Sequence, residues 1–451
     1  MHLSTLLLGG LPSVSTQSAE WITAARVLRR IGFGVRGSEV DSAVKLGPAP
    51  SYVSKIVGAD FMNDPGVVAT PIPELDVPER PEGADVPGRR RYLAKAGEQR
   101  RELTHWWIRR MAAASNPANE KLTFLWHNHF ATSALKVGAA ESMANQNQKL
   151  RKLCLGDFRT LAYAMLTDAA MVIWLDGQQN KSGSPNENLA REFLELFALG
   201  HGNGYSERDV REGARALTGW TVREYVDAEL VAKRHDNSLK TVLGTSGNIG
   251  SEEFCDIVVA QPESAIYIAS KLWRQLASDT PPSENTLRRL VKAYGPDRDL
   301  RGLTEAILSD PDFLDSSATV VSGPVDWLIG LLRAVQVPMD NNELVKVVAA
   351  TLKSLGQQPF NPPDVGGWPF GQAWLSSSAV NIRLRMAGEV IKRGDVSLVA
   401  ETPVSDRLDA AGYLIGVGAW SERSAMALKP LCKDPTTLVA AAVNTPEYLT
   451  S

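Results

Sequence analysis

The chain has 451 residues, 44% of them hydrophobic and 22% charged, with a formal net charge of -3. That length can bury a sizeable core, and the near-neutral balance excludes a general basic surface for nucleic acid as well as an acidic tail. The three cysteines, Cys154, Cys255 and Cys432, are too far apart for a disulfide framework or a metal knuckle and suit small buried hydrophobes in a reducing compartment.

The N-terminal stretch "MHLSTLLLGGLPSVSTQSAEW" carries a short apolar run with no Lys or Arg before it, a poor secretory signal. No segment approaches the roughly 20 apolar residues of a membrane span. A cytoplasmic location is therefore expected. After a tail over 1–18, Trp21, Ala25, Leu28 and Ile31 form a helical stripe that stops at Gly32-Phe33-Gly34, and Ser38 is placed to cap a second helix. Residues 58–90 are proline-rich with little periodicity, which predicts a long loop. Basic clusters stand at 88–92 and 100–110; the second alternates with aromatics at helical spacing, so it reads as an amphipathic helix with snorkelling side chains in preference to a nucleic-acid patch.

Helical spacing resumes over 96–114 and 117–127, then over 142–153, 157–171, 187–199 and 206–219. It lapses over 222–250, where a short hairpin is expected, returns from 251 to 355, lapses again over 356–374 and resumes in the tail. The pattern predicts a mainly α fold, a single large helical domain over 19–451 with long irregular loops and little or no sheet.

Four stretches carry candidate chemistry. In "FLWHNHFATS" (124–133), an unbroken helix would set His127 and His129 roughly 200° apart. A break to extended chain at Asn128 would let both converge on one ion or substrate, with Trp126 in the wall. The alternative is a pair of hydrogen-bonded core histidines. In "WLDGQQNKSGSPNENLAREFLELF" (174–197), Glu187, Arg191, Glu195, Asn188 and Glu192 fall within roughly 140° of one another on one helix face. With Asp176, Asn180, Trp174, Tyr205 and Trp220 nearby in sequence, that face suits a ligand cleft; the alternative is a solvated face with an Arg191–Glu195 pair. Ser206 and Asp209 form a capping box. His235 and Asp236 offer metal-ligand types in the irregular region, and "PFNPPDVGGWPFGQAW" (359–374) reads as a rigid loop presenting Trp368 and Trp374 or plugging the core.

These residues support a hydrolase on a polar, carbohydrate-like substrate, with Glu187, Glu192, His127 and His129 as catalytic groups. Trp126, Asp176, Asn180, Asn188, Arg191, Trp220 and Trp368 would bind substrate. His127, His129, His235 and Asp236 would hold a divalent metal ion as cofactor. A non-catalytic ligand-binding or scaffold protein is the main alternative. A haem- or iron-dependent redox enzyme is a lesser one, because Glu187 stands where a proximal histidine would be needed.

The runs "EKLTFLWHNHFATS", "DAAMVIWLDGQQN", "PNENLAREFLELFALGHGNGYSERDVREGARALTGW", "HDNSLKTVLG" and "PPDVGGWPFGQAWL" resemble the bacterial family known as domain of unknown function 1800, over about 20–385. The resemblance implies no catalytic residues of its own. It does imply exported relatives and a partner similar to sulfatases or alkaline phosphatases encoded nearby.

Overall fold

The computed structural model describes residues 13–450 apart from 16, 77–85, 224–225 and 315–318. The apolar run at the N-terminus and the middle of the proline-rich segment thus lie outside the described residues. Helix dominates at 63%, and the described strands form three two-stranded antiparallel ribbons. One of them, Trp220–Arg223 paired with Asp227–Leu230 in the register Trp220↔Leu230, falls where the sequence predicts a hairpin, as does Lys240–Val242 with Thr245–Gly247.

Packing divides the chain into two compact units where the sequence pattern shows no boundary. The first comprises residues 1–53, 319–355 and 370–451; the second comprises 54–318 and 356–369. Within the first unit, the helix Ala19–Ile31 starts at Ser18, whose side chain accepts from the Trp21 N–H, and ends at Gly32 as its pattern predicts. Trp21 is buried and donates its indole N–H to Asp41 at 2.8 Å, while the Tyr413 hydroxyl donates to the other oxygen of Asp41 at 2.6 Å. Gly34, at φ +63°, brings its backbone against Gly330, where an added Cβ would stand 2.7 Å from the Gly330 Cα. Only glycine suits that left-handed, crowded position.

The second unit is organised by buried charge. Its longest helix, Val86–Ala113, begins inside the segment expected to be loop. Pro87 lies in its first turn, where the missing N–H would have had no helical acceptor, so the proline does not prevent helix there. Glu120, 1% exposed on the helix Ala118–His129, accepts from Arg110 Nε at 2.8 Å, Arg151 Nε at 2.7 Å and Trp107 Nε1 at 2.8 Å. Burial alone would raise its pKa, but the two arginines hold it down at about 2. The Trp106 ring lies between both guanidinium groups, 5.6 Å from Arg110 Cζ and 5.4 Å from Arg151 Cζ. Asp64 pins the preceding turn by accepting from the backbone N–H groups of Gly66, Val67, Ser115 and Asn116.

Candidate functional site

The two histidines of the opening motif lie on one continuous helix, Ala118–His129, with no break at Asn128. The convergence expected from an extended Asn128 is therefore not present, and the helical twist sends the two imidazoles to different sides. The reason lies far away in sequence. Asn128 keeps helical backbone and uses its side chain as a latch, Oδ1 accepting the Trp368 N–H at 2.7 Å. Gly367, at φ +89°, makes that approach feasible, since a Cβ there would meet Asn128 Oδ1 at 2.3 Å. The Phe360 carbonyl accepts the Ala134 N–H at 2.8 Å, which fastens the other end of the same loop.

The loop 356–369 thereby inserts Phe360 and Trp368 into an aromatic cluster around His127. Its imidazole lies 5.5 Å, between ring centroids, from each of Trp107, Phe360 and Trp368, and Phe124 stacks on Trp368 at 5.2 Å. Trp368 is thus buried at 4% exposure and is not a presented platform; Trp374 is buried as well. His127 is 1% exposed and its Nε2 has no hydrogen-bond partner among the described residues. Burial drives its pKa down to about 3, so the ring is neutral at pH 7. Trp126 is buried too and donates its indole N–H to the Cys154 carbonyl at 3.1 Å.

His129 faces the next element. The helix that starts at Asn188 passes at Phe193 into a π-helical turn, Phe193–Ala198, closed by the Leu199 N–H donating to the Leu194 carbonyl. The widened turn offers the Leu196 and Phe197 carbonyls to side chains. His129 Nε2 donates to Phe197 O at 2.9 Å, Tyr267 Oη to Leu196 O at 2.7 Å, and Lys271 Nζ to the same oxygen at 3.1 Å. Because a carbonyl only accepts, His129 carries its proton on Nε2. Burial first, then the Lys271 charge, keeps the pKa of its imidazole well below the usual value. Burial likewise lowers the Lys271 ammonium to about 8. Sequence reasoning missed Tyr267 and Lys271, whose only local signal is their i,i+4 spacing on the helix Pro262–Leu276.

Of the carboxylates, Glu195 lies within the π turn, Glu187 and Glu192 bound the helix before it, and Glu207 opens the helix Glu207–Ala216. Arg191 sits among three of them, with ion pairs to Glu187 at 3.0 Å, Glu195 at 3.5 Å and Glu207 at 2.8 Å. Glu195 is also 3.3 Å from His201 Nδ1. Glu192 differs from its neighbours. It is half-buried, has no hydrogen bond or ion pair among the described residues, and its pKa is raised first by burial and then by Glu195. π turns recur at functional sites, where the extra residue re-aims side chains.

The remaining sequence candidates serve the loops around this face. Asp176, at φ 58°, pairs with Lys136 Nζ at 3.0 Å, and that ammonium stands 5.5 Å from the Trp174 ring. Asn180 is 1% exposed and acts as a clamp, donating to Ala214 O at 2.8 Å and accepting from the Asn186 N–H at 3.0 Å. Asn188 is exposed and reaches Leu175 O at 3.5 Å. Trp220 opens a ribbon strand, and its buried indole N–H, like that of Trp174, has no partner among the described residues. His235 Nδ1 donates to Thr218 O at 2.8 Å. Arg215, at 2.8 Å, and Ser238 take the Asp236 carboxylate and hold its pKa well below the usual range. The metal set proposed from His127, His129, His235 and Asp236 is thus not assembled: the first two diverge and the last is committed to Arg215. Among the described residues, no group of three or more His, Cys, Asp or Glu is placed to hold a metal ion.

A mainly α chain with a π turn preceded by a carboxyl without a hydrogen bond or ion pair among the described residues, beside an arginine-centred carboxylate cluster, is the class that fold and site define. Over residues 26–450 the chain matches the family described as protein of unknown function (DUF1800), and it belongs to that family. No curated protein and no solved structure matches it. No helix among the described residues is long and apolar enough to cross a membrane.

Proposed function

We propose that the chain is a hydrolase of polar, uncharged substrates of the carbohydrate class, with Glu192 as proton donor and Glu195 as the neighbouring carboxylate. The observation that carries the reading is Glu192 itself, a half-buried carboxyl with a raised pKa and no partner among the described residues, beside a carboxylate held by Arg191. Two carboxyl groups in environments that separate their acidities are the equipment of acid–base hydrolysis. Glu187, tied to Arg191, positions that guanidinium instead of reacting. The cytoplasmic assignment rests on the three cysteines, which are unpaired and buried.

The test uses a panel of 4-nitrophenyl glycosides with the wild-type chain and Glu192→Gln. The substitution should lower kcat by about 100-fold or more while leaving the melting temperature within a few degrees. Activity should fall as pH rises through the pKa of Glu192, because the protonated form is the donor. Full turnover by the variant, or no turnover by the wild type on any member, overturns the proposal. A non-catalytic ligand-binding reading is favoured by one observation: Arg191 engages three of the carboxylates in ion pairs.

A further inference from the structure

A cleft of about 790 Å³ opens in the second unit, between the turn at 59–62, the end of the helix Ala140–Leu153 and Arg301. Its volume falls within the range of small-molecule sites. Three cations line it, Arg151, Lys152 and Arg301, against one carboxylate, Asp60. Arg151 is committed to Glu120, with Nε–Oε1 at 2.7 Å and Nη2–Oε2 at 2.8 Å. Asp60 is committed as well, accepting from Asn63 Nδ2 at 2.6 Å and from the Met62 N–H at 3.1 Å, and these bonds lower its pKa.

Lys152 and Arg301 have no carboxylate partner among the described residues. One guanidinium nitrogen of Arg301 donates to Val57 O at 2.7 Å, which fixes the group at the rim and leaves its other donors unused. Beside these donors the wall is apolar, formed by Phe61, Leu155 and Met62, the last 68% exposed. A guanidinium held at the rim beside an exposed lysine, with one committed carboxylate against them, favours an oxyanion, and the apolar wall favours a hydrophobic body.

We propose that this cleft binds a small organic anion, with an oxyanion head on Lys152 and Arg301 and an apolar body against Phe61, Met62 and Leu155. The site is separate from Glu192, so its test and that of the hydrolase reading fail independently. Calorimetric titration of the full chain would compare phenyl phosphate, benzoate, inorganic phosphate and benzyl alcohol at low and high salt. Phenyl phosphate or benzoate should bind tighter than both inorganic phosphate and benzyl alcohol, and added salt should weaken it. The relative affinities of phenyl phosphate and benzoate tell which head is preferred. Lys152→Gln with Arg301→Gln should weaken binding by about tenfold or more, with each single variant between. Met62→Ser should cut the advantage of the aromatic anions over inorganic phosphate. Lys346→Gln, an exposed cation of the other unit, should change nothing. The proposal is overturned if the double variant, or the singles should it fail to fold, bind as the wild type does. Preference for benzyl alcohol, or no binding of either aromatic anion at millimolar concentration, also overturns it.

Discussion

Replacing Arg383 with methionine should make the protein more stable. Arg383 projects from the helix Ser377–Ile391, is 1% exposed, and none of its three guanidinium nitrogens has a hydrogen-bond partner among the described residues. The guanidinium lies over the face of Trp327, 5.8 Å from Cζ to the ring centroid. A buried ion without a counter-charge costs several kcal/mol even after relaxation, and a desolvated cation–π contact returns only about 2 kcal/mol. Burial accordingly lowers the pKa of the guanidinium. Methionine has a flexible stem that can fill much of the same space without the charge. The net expectation is a gain of roughly 1–4 kcal/mol, by analogy with buried charges replaced by apolar residues. At about 2–4 °C per kcal/mol, the transition should rise by roughly 2–16 °C. Arg383→Lys keeps the charge, loses the planar stack on Trp327 and should fall below the wild type. Calorimetric melting of all three in a buffer free of multivalent anions tests this. A methionine variant less stable than the wild type by more than about 1 kcal/mol would refute the reasoning, because the guanidinium would then be favourably solvated in place.

Two further outcomes follow from the second unit. The His127 imidazole has a folded pKa of about 3, below its unfolded value near 6.5, so only the unfolded chain takes up its proton between those limits. Stability should be fully present above pH 6.5 and fall with acidification at up to about 1.4 kcal/mol per pH unit for this group. Urea midpoints at pH 7, 6 and 5 should show that slope reduced in His127→Leu, and equal slopes would count against a neutral buried ring. Gly367→Ala should cost about 2 kcal/mol or more, because it strains a positive-φ position and drives a methyl into Asn128. A red shift in tryptophan emission should accompany it as Trp368 meets water, and unchanged emission and melting would show that the latch tolerates the methyl.

Local rules made much of the helical frame legible. The stripe of Trp21 and Ile31, the stop at Gly32 and the Ser206–Asp209 capping box depend on residues a few positions apart, and they stand in the structure as read. The break expected at Asn128 failed because the residue that satisfies its side chain, Trp368, is 240 positions away. The same distance hid the burial of Trp368, which looks like a platform until Phe124 is placed against it. At the candidate site, the carboxylate face was visible from helical geometry, but the π turn was not. An extra residue in a helix leaves no mark in composition, and its side-chain partners, Tyr267 and Lys271, come from another helix. Charge counts could suggest an Arg191–Glu195 pair; they could not single out Glu192 as the carboxyl left alone.

Neither compact unit is one continuous stretch of chain, and this sets a schedule for the ribosome. The helix carrying Trp21 belongs to a unit whose last segment begins at Phe370 and includes Tyr413, which shares Asp41 with it. At about 5–20 residues per second, roughly 17–70 s of synthesis separate the emergence of that helix from the arrival of this segment. Throughout that interval the apolar stripe of the first helix lacks its final covering and is a natural client for a nascent-chain chaperone. A helix made early is thus among the last to be enclosed.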